Sequence, residues 1–139
     1  MRTYIQTGIL ALTLVTSALA GDYAVVVSQA TRANKDWRPV VQALIEKHDA
    51  KLITHKGGVA GALGKLRGQF PRYTCFVATP KEATGAYVAR VHQLTRQLDE
   101  DPYTDTFWGI LTGYNAANAL AIAKHSKPLT VRKVASGTE

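Results

Sequence analysis

The chain has 139 residues with 17 basic and 10 acidic side chains, a formal charge of +7. One cysteine, Cys75, excludes an internal disulfide framework. The Lys and Arg residues are scattered, with no basic helix or RNA-binding signature among them, which argues against nucleic acid as a partner.

Met1 and Arg2 give a positive start, an apolar run follows from Ile9 to Val15, and small residues stand at Ala18 and Ala20. This is the pattern of a secretory signal peptide, with an apolar stretch too short to span a bilayer. Residues 1–20 are therefore expected to be a leader and residues 21–139 a single domain, exported to the periplasm or the extracellular space. No later apolar run is long enough for a membrane span. Arg2 is the leader's only charge, so the mature chain carries +6.

In the mature part, Tyr23–Val27 is a β-branched run without polar alternation, as in a strand covered on both faces. Residues 28–35 are polar and read as a loop. From Asp36 onward, Trp37, Val40, Val41, Leu44, Ile45 and His48 share one helical stripe, with Pro39 tolerated in the first turn. A short strand is expected over Lys51–Thr54. Gly57-Gly58 then breaks the chain before a weaker helix marked by Val59, Leu63, Leu66 and Phe70.

The third strand is read at Tyr73–Ala78. Thr79-Pro80-Lys81-Glu82 has the form of a capping box, predicting a helix that starts there, with Val88, Val91, Leu94 and Leu98 on its apolar line. An acidic loop follows, then a fourth strand over Phe107–Leu111 and a helix from Asn115 through Ala123. Leu129–Val134 is a fifth strand candidate. Strands alternating with helices in this way predict an α/β fold. The expected architecture is a three-layer α/β/α sandwich with a mostly parallel sheet, flavodoxin-like or caspase-like. The Ser136–Glu139 end supplies no closing element, so the reading is the N-terminal portion of a longer protein.

Ligands of open α/β sheets collect at the carboxyl ends of the strands. Here those ends are Ser28–Thr31, Thr79-Pro80 and Thr112–Asn115. None carries a glycine-rich phosphate loop or a Walker lysine, so no cofactor is expected. Ser28, Thr79 and Thr112 are read as bonding turn and helix-start backbone. Cys75 lies inside an apolar strand and reads as a core residue, not a nucleophile. His48, His55, His92 and His125 share no short ligand spacing. The acidic loop, with Asp99, Glu100, Asp101 and Asp105, is the one candidate cation site. The reading preferred for it is a solvated turn shaped by Asp101 and Asp105, because calcium-loop spacing is absent.

Asp101-Pro-Tyr-Thr-Asp105, followed by Thr106–Gly113 and a helix from Asn115, resembles a segment of gingipain-type cysteine peptidases. That resemblance implies a caspase-like α/β fold. It departs from the family at Gly109-Ile110, where a Gly-Arg pair is usual. The family's catalytic His and Cys lie beyond this segment, so no catalytic residue is carried over and Cys75 is not recruited. The function expected is an N-terminal structural subdomain of a secreted cysteine peptidase-like protein, not catalytic alone. Its partner would be the C-terminal part of the same protein. The alternative is a noncatalytic exported binding module that uses the strand-end cleft or a sheet edge. A receiver-like signalling domain is disfavoured, because Val27 is followed by Ser28-Gln29 instead of an acidic pair.

Overall fold

A computed structural model describes residues 22–127 together with Thr130, Arg132 and Lys133. The leader expected over residues 1–20 lies outside the described residues, and so does most of the fifth strand expected over 129–134. Four strands, β1 (Tyr23–Ser28), β2 (Lys51–His55), β3 (Tyr73–Val77) and β4 (Phe107–Leu111), form one parallel sheet in the order β2-β1-β3-β4. Helices cover both faces, so the expected α/β class is correct.

β1 lies between β2 and β3, and its Ala24, Val25, Val26 and Val27 are fully buried. The uninterrupted β-branched run needs this placement, because alternate residues face two different apolar layers. Val25 and Val27 join Cys75 and Val77 under α2 (Arg38–His48) and α5 (Ala116–Lys124). Ala24 and Val26 join Ile53 and Phe76 on the other face. That face is covered by a 3-10 turn at Val59–Ala62, α3 (Leu63–Gln69) and α4 (Gly85–Leu94).

Two segments fold differently from the sequence expectation. Residues 28–35 are not simply a loop: Ser28 caps a short helix, α1 (Gln29–Ala33), its hydroxyl accepting from the Thr31 amide at 3.0 Å. The Thr79 capping box closes a turn rather than starting a helix. Its reciprocal bonds form (Thr79 amide to Glu82 carboxylate, 2.9 Å; Glu82 amide to Thr79 hydroxyl, 3.3 Å), yet α4 begins only at Gly85 with Thr84 as its cap. As a result Val88 lies outside the apolar line and is 42% exposed, whereas Val91, Leu94 and Leu98 are buried.

At the amino edge of the sheet, Tyr23, Tyr73 and Phe107 are register partners across β1, β3 and β4 and stack as a row. His48, the last residue of α2, lies flat on Tyr23 with ring centres 4.2 Å apart. Among the described residues no helix is long and apolar enough to cross a membrane.

Candidate functional site

The chain leaves β1 toward one side of the sheet to make β2, then crosses back over β1 to make β3. The neighbours β1 and β3 therefore send their connections in opposite directions, and a crevice opens at their carboxyl ends. Ser28 ends β1, and Thr79 stands just past β3.

Glu82 closes this crevice. Its Oε1 accepts from the Ser28 hydroxyl at 2.5 Å, and its Oε2 accepts from the Thr31 hydroxyl at 2.5 Å, the Thr79 amide at 2.9 Å and the Thr79 hydroxyl at 3.1 Å. Burial alone would raise the carboxyl pKa, but these donors outweigh it and hold Glu82 below its ordinary value. The carboxylate is a charged tie between α1 and the turn after β3.

His55, the last residue of β2, pairs in register with Ser28. Like Ile53 two residues before it, it is buried, at 6% exposure. Five polar residues are buried among the described ones. The side chains of Thr31, Thr74, Thr95 and Thr106 all have hydrogen-bond partners. His55 is the exception: neither ring nitrogen makes a well-formed hydrogen bond, although the Gly58 backbone is near enough to act on the ring. Burial pushes its pKa below the usual histidine value, while the Glu82 charge and the Gly58 carbonyl pull the other way. Burial is the larger effect and favours the neutral ring.

That wall borders a cleft of about 520 Å³ between Ser28, the Lys56–Gly58 loop, Glu82 and the first turns of α4. At Gly57 φ is 77°, a left-handed backbone that glycine adopts freely, and a β-carbon there would touch nothing within 4 Å. Tyr87, whose hydroxyl is pushed up to about 12 chiefly by burial, and the exposed Arg90 complete the far side. On the other side of Glu82 a second cleft, about 630 Å³, is lined by Thr31, Asp36, Trp37, Lys81 and Tyr114.

The other sequence candidates lie elsewhere. Cys75 is in the middle of β3, 7% exposed, its thiol pushed up to about 11 mainly by burial, which leaves it a poor nucleophile. Thr112 bonds no backbone: its hydroxyl oxygen is buried without a partner, contrary to the turn role expected for it.

The acidic loop forms a separate cluster. Asp99, Asp101 and Asp105 can bring one oxygen each within 4.8 Å of one another, and Glu100 is not part of the group. Their carboxylates accept from loop amides: Asp99 from Asp101 at 2.9 Å, Asp101 from Tyr103 at 2.7 Å and Asp105 from Leu98 at 2.8 Å. The first two, each to the amide two residues ahead, are the bonds of Asx turns, and the third ties the end of the loop back to its start.

Ser28 and Thr79 were legible in the sequence as strand ends, whereas the burial of His55 and the second role of Glu82 were not. Alternation with Ile53 in β2 was the available signal for His55. For Glu82 no local signal exists, because its extra partners come from another part of the chain. Comparison with known proteins gives no match to any family model, curated protein or solved structure.

Proposed function

We propose that this chain is a noncatalytic, exported binding module that holds a small ligand in the cleft at the strand ends. One observation carries the reading: His55 is buried beside that cleft with neither ring nitrogen in a well-formed hydrogen bond. An orphaned buried polar group costs about 1–3 kcal/mol, a cost that a bound group or enclosed water removes. The cleft sits where doubly wound sheets bind ligands. It has no thiol, and its one carboxylate is engaged by four donors, so binding suits it better than chemistry.

The test is a spectrum of the ¹⁵N-labelled protein titrated with a chemically mixed small-molecule library. Hits should move the amides of Gly57, Gly58 and Ala86 and leave those around Tyr73 still. A library without a single cleft hit would sink the reading. Export predicts a mature N-terminus at Gly21, readable by intact mass.

A second reading is the N-terminal structural part of a gingipain-type, caspase-like peptidase. It is supported by the Asp101–Asp105 resemblance and by the outer strand β4, where Phe107 is 69% exposed. A reading frame that continues past Glu139 into a His-Gly turn and a later Cys would favour it, and a stop codon would remove it.

A further inference from the structure

Resting on the cleft reading above, we infer that the ligand is a small organic anion. Its carboxylate or phosphate group would be held by Arg90, Lys56 and the first amides of α4, beside His55. Three observations converge. The cleft's lining includes two cations, Lys56 and Arg90, and a single acid, Glu82, whose two oxygens already accept four hydrogen bonds from Ser28, Thr31 and Thr79. The free charge facing the cleft is therefore positive.

α4 is ten residues long and points its N-terminus at the cleft through Thr84 and Ala86. Thr84 caps the Tyr87 amide at 3.2 Å, but the amides of Gly85 and Ala86 belong to the first turn and have no intrahelical acceptor. Aligned peptide dipoles add partial positive charge at that end, the standard setting for an oxyanion. The first turn of α4 also carries no acidic residue that would compete for these amides.

The third observation is independent of the helix. His55 is more than nine-tenths buried in the cleft wall and neither nitrogen makes a well-formed hydrogen bond. Both ring nitrogens are closed off from the cleft, so an anionic oxygen would accept from one of them after a turn of the ring, and a second proton would add charge complementarity. Glu82 and the Gly58 backbone act on the ring, and Lys56, Arg90 and Tyr87 line the same cleft. The cleft, at about 520 Å³, exceeds an inorganic ion and has room for a small organic molecule.

The experiment titrates labelled protein with succinate, with inorganic phosphate and with neutral succinamide, at matched ionic strength. Succinate or phosphate should shift the amides of Gly85, Ala86 and Gly57 saturably, and succinamide should not. Which of the two binds more tightly distinguishes carboxylate from phosphate. The Arg90→Gln and Lys56→Gln double variant, whose changes are at exposed side chains, should keep the native spectrum and bind the anion at least tenfold more weakly. In saturating anion the His55 ring should titrate at higher pH than in its absence, a readout that a merely structural histidine would not move. If library hits occupy the cleft but neither anion shifts these amides, or if the double variant binds unchanged, the anion assignment falls while the cleft reading survives. If nothing enters the cleft, both fall.

Discussion

Ser28 and Glu82 are 54 positions apart in sequence, and their side-chain oxygens lie 2.5 Å apart across the crevice between β1 and β3. Thr31 repeats the contact from the first turn of α1. One carboxylate thus fastens the segment after β1 to the segment after β3 and forms the floor between two clefts. Hydrogen bonds to a charged group contribute about 1.5–3 kcal/mol each, with strong non-additivity in a shared network. Glu82→Ala should lower stability by about 2–4 kcal/mol in urea unfolding. Ser28→Ala combined with Glu82→Gln should cost clearly less than the sum of the two single changes. Strict additivity would mean that the two side chains are uncoupled.

Acid should weaken the fold in two stages. His55 has a folded pKa below 6.5, so on acidification through about 6.5 the unfolded chain takes up protons first and stability falls. Glu82 has a folded pKa below 4.5. The stability it contributes is complete above 4.5 and is lost as pH falls through its folded value. His48 acts in the same direction as His55, but its exposure makes the effect small. Urea midpoints at pH 7.5, 5.5 and 4 should fall in order. His55→Gln should flatten the first interval, and Glu82→Gln the decline below 4.5. A wild-type midpoint that rises between pH 7.5 and 5.5 would contradict the burial assigned to His55.

The sheet was legible because its strands are coded locally. A β-branched run such as Tyr23–Ser28 has few alternatives to burial on both faces. α1 was missed because Gln29–Ala33 has no apolar period, and its one buried side chain is Thr31, a polar residue. The start of α4 was misplaced for a related reason: Thr79 and Glu82 do make the reciprocal bonds of a capping box, but Glu82 is also pulled toward Ser28 and Thr31. The site depends on such cross-chain contacts, and no window of sequence contains them.

Cys75 packs with Val25, Val77 and Trp37 in the core under α2 and α5. Cys75→Ser should cost about 1–3 kcal/mol, because a hydroxyl is costlier than a thiol to bury in an apolar layer. The native thiol should react with a bulky reagent only as fast as the protein opens. Labelling at the rate of a free thiol would place it at the surface.

Two glycines should respond to alanine in opposite ways. A β-carbon at Gly113 would stand 2.8 Å from Asn118 Oδ1 and 2.9 Å from the Ala119 amide nitrogen, where backbone must shift. Overpacking of this kind costs about 1–3 kcal/mol. Gly64 lies in α3, with nothing within 4 Å of such a carbon. Gly64→Ala should stabilise the protein by about 0.5–1 kcal/mol through helix propensity. Equal melting shifts for the two variants would mean that the turn after β4 is looser than described.

The acidic loop separates a structural turn from a cation site, and its geometry supports the turn. Asp99 and Asp101 each hold an amide two residues ahead, and Asp105 reaches back to the Leu98 amide. The Asp105 amide also donates to the Thr95 carbonyl at 3.1 Å, and Arg96 bonds the Pro102 carbonyl at 2.7 Å, so the loop is closed by its own contacts. Asp99 and Asp101 are exposed, and water screens their repulsion. A ligand that binds only the folded state stabilises it by about 2.7 kcal/mol at a hundredfold excess over its dissociation constant. Melting in millimolar calcium, in magnesium and in chelator at matched ionic strength should therefore give nearly one midpoint. Asp105→Asn should lower that midpoint in all three media alike, since what it weakens is the bond to Leu98. A rise of several degrees specific to calcium, abolished by Asp101→Asn with Asp105→Asn, would instead make Asp99, Asp101 and Asp105 ligands.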